Sequence, residues 1–256
     1  MDARPEPGPR PAPSFHATPL LSVVIAVYNE AENVGPVLAE LVAALGGLEP
    51  CEIVFVDDGS TDGTADRLSG ADGGHVRVRT LQLDRRCGKL AALRTGIAAA
   101  QAEWVATMDG DGQNDPRDIP PMLELGRSAA GSAPLVAGVR LRRHDTLSRR
   151  LATKFANGFR QAVLGDHCPD SGCGLKAFRR ADFLELPAFE GMHRFLPALF
   201  QAYGHPLVCK PVTHRPRLKG RSKYTNLGRA LVGIGDMLGV IWLRSRTHRP
   251  NKVTER

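Results

Sequence analysis

The stretch "WVATMDGDGQND", residues 104–115, sets Asp109, Asp111 and Gln113 at alternate positions behind an apolar run. Carboxylates that close repel one another unless a cation lies between them. Two carboxylates and an amide oxygen form a hard oxygen set, suited to magnesium or manganese with water and substrate phosphates completing the shell. A calcium-binding EF-hand loop is excluded: its sixth position would be Asn114 in place of Gly and its twelfth Pro120 in place of Glu. Asp115, just ahead of Pro116, and Asp118 read instead as helix caps.

Further along, Arg140, Arg142 and Arg143 close an apolar run, and Arg217, Lys219, Arg221 and Lys223 crowd a segment with Ser222. Arginine forks suit phosphate oxygens bidentately and lysine adds a point charge. Arg140, Arg221, Ser222 and Lys223 are the phosphate candidates, with Arg142 and Lys219 read as solvated charges. The net charge of +7 over 256 residues favours an anionic partner, whether nucleic acid, membrane or phosphate-bearing substrate. Five cysteines without a CxxC pair argue against a disulfide framework or zinc ribbon and for a reducing compartment. Cys168 and Cys173, near His167, have the wrong spacing for a metal site.

The elements that must position these groups alternate from Leu21 onward. "LLSVVIAVY", "CEIVFVDD", "VRVRTLQL" and "EWVATMD" read as strands, separated by helical patterns in "EAENVGPVLAELVAAL", "GTADRLSG" and "GKLAALRTGIAAAQ". The second helix would be capped by the Ser60/Thr61/Asp62 cluster. Such alternation predicts an α/β domain with a mostly parallel central sheet covered by helices on both faces, whose ligands bind beyond the carboxyl ends of the strands. "VYNE", "DDGS" and "DGDGQ" all fall there. Beyond Leu135 come a strand in "PLVAGVR", an amphipathic helix in "TLSRRLATKFANGFRQAVLG" and a Gly-rich turn and strand in "DSGCGLKAF". A helix around "RFLPALFQAY", a strand in "PLVCKPVTH", the basic loop and a last helix from about Asn226 to Arg244 follow. Residues 1–19 read as a Pro-rich disordered tail, 20–225 as the catalytic domain and 226–256 as an amphipathic helix with a basic tail. No apolar stretch reaches the ~20 residues that span a bilayer. "VYNE" lacks the glycine-rich turn of a dinucleotide-binding fold, and "RRCGKL" lacks the upstream glycine and final Ser/Thr of a phosphate-binding loop. Dehydrogenase and ATPase readings therefore fail.

Seven segments in order, "VVIAVYNEAENV", "EIVFVDDGSTDGT", "GKLAALRTGI", "MDGDGQNDP", "VAGVRLRR", "DSGCGLKAF" and "RPRLKGRSKY", resemble family-2 glycosyltransferases of the GT-A fold. The likeness is closest to the dolichol-phosphate mannose synthase group of polyprenyl-phosphate glycosyltransferases. The resemblance implies that Tyr28, Glu30 and Asp58 hold the base and ribose of a UDP- or GDP-linked sugar, with Ala26, Gly110, Arg140, Arg217 and Ser222 lining the same donor site. It implies that Asp109, Asp111 and Gln113 hold Mg2+ or Mn2+ under the donor diphosphate, supported by Asn29, Lys89 and Asp57; Asp57 reads equally as a loop cap. Asp111, Arg140, Arg221 and Lys223 would carry the chemistry.

Relatives that glycosylate hydroxyls resemble one another in an acidic pair before a helix in the second half, one member serving as general base. Here "EGMHRFLP" reads His193-Arg194, and Glu190 is out of position. A phosphate monoester, with a second pKa of about 6, is already anionic and needs no base. A polyprenyl monophosphate acceptor is therefore expected, in an inverting transfer at the cytoplasmic face of a membrane. The alternatives are a same-fold transferase acting on a saccharide hydroxyl, a basic nucleic-acid-binding protein, which leaves the acidic cluster unexplained, and a degenerate nucleotide-sugar sensor. The last helix puts Leu227, Leu231, Ile234, Leu238, Ile241 and Trp242 near one face, either for the core or, with the basic flank "RSRTHRPNK", for an anionic membrane. Peripheral attachment or a separate transmembrane subunit is expected, and a homo-oligomer is compatible.

Overall fold

Runs of Val, Ile and Phe bounded by polar turns form central strands buried on both faces, and the computed structural model places seven strands in one sheet with its two edge strands partly exposed. It describes residues 18–48, 50–140, 157–216 and 226–247, with the side chains of 226–232 and 234 left aside. The strands are β1 (Leu21–Val27), β2 (Cys51–Asp57), β3 (Arg77–Gln82), β4 (Trp104–Asp109), β5 (Leu135–Arg140), β6 (Lys176–Arg179) and β7 (Leu207–Val212), ordered β3-β2-β1-β4-β6-β5-β7. All pairs are parallel except those of β6, which runs antiparallel between β4 and β5.

Helices α1 (Val34–Leu45), α2 (Thr64–Ser69) and α4 (Ile119–Ser128) cover one face, where Val37, Leu41, Phe55 and Met122 meet in the core. Helices α3 (Lys89–Ala99), α6 (Arg180–Leu184), α7 (Leu196–Ala202) and α8 (Asn226–Arg246) cover the other around Phe178, Phe183 and Phe200. Helix α5 is described over residues 157–164. Helix α1 begins at Val34, four residues after the sequence pattern suggests, because Asn33 N and Val34 N both donate to the Glu30 carbonyl in a turn. Asp62 does serve the start of α2: its Oδ1 accepts from Thr64 N at 3.1 Å, with Gly63 left-handed between them (φ 83°).

Register brings the polar clusters together. Val27 pairs with Asp57 and Ala26 with Asp109, so β1, β2 and β4 end on one line and release "VYNE", "DDGS" and "DGDGQ" at the same edge of the sheet. Helix α8 packs through Met237 and Val240, both buried, while Leu238 and Trp242 are 60% and 63% exposed and Ile241 also faces solvent. Leu227, Leu231 and Ile234 are outside the described side chains. Among the described residues no helix is long and apolar enough to cross a membrane.

Candidate active site

At the β1 exit, Asn29 takes a left-handed conformation (φ 51°), and its Oδ1 accepts from Thr61 N at 2.8 Å. Glu30 N donates to Thr64 Oγ1 at 2.9 Å, and Glu30 Oε2 accepts from Asn33 Nδ2. Arg86 stacks over the Tyr28 ring, 4.5 Å from its centroid. At the β2 exit, the buried Asp57 accepts from Ser60 N and Oγ, the loop-cap role. Asp58 accepts from Cys87 N at 2.6 Å and Gly88 N at 2.9 Å, which clamps the loop entering α3. Ala26 sits between β2 and β4, and Gly110 packs so closely on Val27 that a Cβ there would lie 2.6 Å from its Cγ1.

At the β4 exit, Lys89 from the first turn of α3 pairs with the Asp109 carboxylate. Burial works to raise the Asp109 pKa, but the charge and hydrogen bond of Lys89, with Lys176 and His193 behind it, hold it below the ordinary value. Asp111 Oδ1 accepts from Gln113 N at 3.1 Å, and Gln113 Nε2 reaches the Arg215 carbonyl at 3.5 Å. Arg215 N donates back to the Gln113 carbonyl at 2.9 Å, and its guanidinium binds Glu40 Oε2 and the Asn114 carbonyl. The start of the basic segment is thereby tied to the acidic loop. Arg217, Arg221, Ser222 and Lys223, with Arg142, Arg143 and Lys219, lie outside the described residues.

Among the described residues no three His, Cys, Asp or Glu side chains group tightly enough to hold a metal alone. The oxygens of Asp111 and Gln113, with Asp109 beside them, fit a hard divalent cation whose remaining positions are filled by diphosphate and water.

On the other side of β4, Arg140 ends β5 and grips Asp170 through Nε at 2.6 Å and Nη2 at 2.8 Å. Burial opposes its charge, but the hydrogen bonds and charge of Asp170 hold its pKa above the ordinary value. Asp170 opens the Gly-rich loop, in which buried Lys176 donates to the carbonyls of Ser171 and Cys173. Burial, helped by Lys89, lowers the Lys176 pKa. Gly174 abuts Asp109 so closely that any Cβ would collide with the carboxyl group, and Thr107 Oγ1 donates to its carbonyl at 2.8 Å. A cavity of about 20 Å³, room for one water, is lined by Lys89, Asp109, Lys176 and His193 over an apolar floor. Burial first, then Lys89, Lys176 and Arg194, drive the His193 pKa well below its ordinary value.

The site thus unites Tyr28, Asn29, Glu30, Asp57, Asp58, Lys89, Asp109, Asp111 and Gln113 along one edge, with Arg140 across the Gly-rich loop. Asp170, Lys176 and Gly174 went unremarked in the sequence. Their signal was a lysine inside an apolar strand and an acid opening a Gly-rich turn.

Strand order and polar edge define a GT-A-type α/β fold of the nucleotide-sugar transferases. Glucosyl-3-phosphoglycerate synthase from Mycobacterium tuberculosis, solved with Mn2+, UDP and phosphoglyceric acid, superposes with a TM-score of 0.64 at 20% identity, covering 90% of this chain and 80% of that one. The chain belongs to glycosyl transferase family 2, whose model matches residues 22–186. It is 36% identical to dodecaprenyl-phosphate galacturonate synthase of Rhizobium johnstonii over 90% of this chain and 69% of that protein. It is 33% identical to undecaprenyl-phosphate 4-deoxy-4-formamido-L-arabinose transferase of Edwardsiella ictaluri over 82% of this chain and 64% of that protein. The chain thus spans about two thirds of the length of these relatives.

Proposed function

We propose that this protein moves a sugar from a UDP- or GDP-linked donor to a polyprenyl monophosphate. The observation that carries this reading is the acid content of the site: among the described residues lining the cavity beside the β4 exit, Asp109 is the sole carboxylate, and it is paired with Lys89. No carboxylate there is free to deprotonate a hydroxyl, whereas an anionic phosphate needs no base. The names of the two relatives support the same acceptor, and the Mn2+ and UDP of the structural neighbour support a nucleotide donor with a divalent ion.

In this reading an acceptor phosphate oxygen bonds to the anomeric carbon as the bond to the diphosphate breaks, inverting the centre and releasing the nucleoside diphosphate. Tyr28, Glu30 and Asp58 border the nucleoside. Asp111, Gln113 and Asp109 hold Mg2+ or Mn2+, which when bound offsets charge on the leaving diphosphate. Arg140 and the segment carrying Arg217, Arg221, Ser222 and Lys223 serve the phosphates. The exposed Leu238, Ile241 and Trp242 of α8 suit a membrane interface, flanked by Arg244 and Arg246 for anionic lipid.

Purified protein supplied with manganese, undecaprenyl phosphate and a panel of UDP- and GDP-sugars should yield a lipid-linked sugar released by mild acid. No lipid product from any donor, or an acid-stable one, overturns the proposal.

A further inference from the structure

His193 has no role in the scheme above, yet it occupies an unusual position. It lies in the 3-10 turn Met192–Arg194, half-buried beside the Lys89/Asp109 pair. Its Nδ1 is shut off from solvent and has no hydrogen-bond partner. Its Nε2 also bonds to no described residue but is not sealed in the same way. An uncompensated buried nitrogen costs free energy, so the arrangement calls for an explanation.

The surroundings assign the two nitrogens different states. Lys89 and Lys176 both act on the ring, and Asp109, the one carboxylate lining the shared cavity, is paired with Lys89 and accepts nothing from Nδ1. Two ammonium groups near the ring favour a bare lone pair over an N–H on the sealed, unpartnered Nδ1. The proton therefore belongs on Nε2, the unsealed nitrogen. The turn fixes this orientation. Phe195 N donates to the Met192 carbonyl at 2.8 Å and Arg194 N to the Gly191 carbonyl at 3.0 Å. Gly191 is left-handed (φ 83°), and a Cβ there would lie 2.5 Å from Asp236 Oδ2, the carboxylate that Arg194 approaches to 3.9 Å. Helix α8 thus braces the turn.

We infer that His193 is a specificity-determining contact that presents Nε2–H to an oxygen of the transferred sugar. The inference rests on the nucleotide-sugar reading above. An imidazole N–H beside apolar Leu90 and Leu196 suits a hydroxylated ring, while the diphosphate and the acceptor phosphate have guanidinium and ammonium groups elsewhere.

Two experiments on the full chain test it. Titration with Mn2+ plus UDP or GDP should give affinities for H193A within about twofold of wild type. With UDP-galacturonate, UDP-glucose or GDP-mannose, whichever the wild type binds, H193A should lose about tenfold, the worth of one neutral hydrogen bond. H193Q, which carries an amide N–H, should recover most of that loss, and KM for undecaprenyl phosphate should stay unchanged. Equal loss for nucleoside diphosphate and nucleotide-sugar, no recovery in H193Q, or a loss confined to the lipid phosphate overturns the contact. Long-range 1H–15N spectra, with the His193 signal assigned by its absence in H193Q, should show the Nε2–H tautomer; an Nδ1–H tautomer overturns it. A wild-type protein that binds no nucleotide-sugar sinks the functional reading and the contact together. Binding without the split between H193A and H193Q sinks the contact alone.

Discussion

The two sides of β4 hold their charged groups in opposite ways. Toward β1 and β2, acids are held mainly by backbone N–H groups: Asp57 by Ser60, Asp58 by Cys87 and Gly88, Asp111 by Gln113. Toward β5, arginines are held by acids: Arg140 by Asp170, and Arg160 by Asp166, with Arg160 Nη2 to Asp166 Oδ1 at 3.2 Å. Backbone donors orient a carboxylate without cancelling its charge, whereas Asp109 on the same edge is paired with Lys89. Paired arginines are near neutral together, so the second side offers directed N–H groups more than net charge. In the proposed reading the first side attracts a metal and the second orients a phosphate.

The largest expected effect tests the first half of that contrast. Asp111→Asn should lower sugar transfer by about a thousandfold and abolish the manganese-dependent part of the thermal shift seen with UDP or GDP. A loss under tenfold in steady-state turnover would place the metal elsewhere. The second half is tested by stability. Asp170→Asn leaves the half-buried Arg140 guanidinium without its counter-charge and should cost about 3 kcal/mol in urea unfolding. Asp58→Asn keeps an oxygen facing the Cys87 and Gly88 N–H groups and should cost only about 1 kcal/mol. Equal losses would erase the distinction between the two sides.

Gly174 is where the sides touch. Gly174→Ala must displace the Asp109 carboxyl group or the Gly-rich loop, at about 2 kcal/mol for overpacking. Nucleotide affinity measured by titration should fall with it, since Asp109 and Lys89 move together. On the far surface, Trp242→Ser should leave urea stability within about 0.5 kcal/mol, because the side chain is mostly exposed. Sedimentation with vesicles containing anionic lipid should show weaker binding for that variant. Unchanged binding would remove α8 from the membrane reading.

The first side was legible because its information is local. Each β-branched run ends in its own acidic turn, and parallel register does the rest, aligning Val27 with Asp57 and Ala26 with Asp109. The second side depends on contacts distant in sequence. Nothing near Lys176 announces that β6 inverts and enters between β4 and β5, and nothing near Asp170 points to Arg140 thirty residues earlier. Helix α4 was signalled only through the helix-cap reading of Asp118; its Pro120 and Pro121 fit the first helical turn, where no N–H is needed. Of the apolar stripe read on α8, Leu238, Ile241 and Trp242 lie exposed. Its packing face, Met237 and Val240, is a neighbouring stripe that periodicity alone does not separate from it.

The smallest expected effect lies at the outer end of the second side, where two thiols meet. The thiol of Cys168, buried in the loop before Asp170, is placed to donate a hydrogen bond to a thiolate on exposed Cys209 of β7. That bond favours a thiolate on Cys209 and lowers its pKa to about 7, against the opposing effect of burial, while the same bond and then burial raise Cys168. A thiolate is the reactive form, so the alkylation rate of Cys209 by iodoacetamide should rise with pH and reach half its plateau near pH 7. In Cys168→Ser the weaker pairing should move that midpoint up, toward the ordinary value of about 8.5. The direction matters for the comparison: here, as with Asp57 and Asp58 across the sheet, an anion is stabilised by a donor rather than by a cation. A midpoint unmoved in Cys168→Ser would assign the shift to Arg160 instead, returning this corner to the arginine-pairing pattern of its own side.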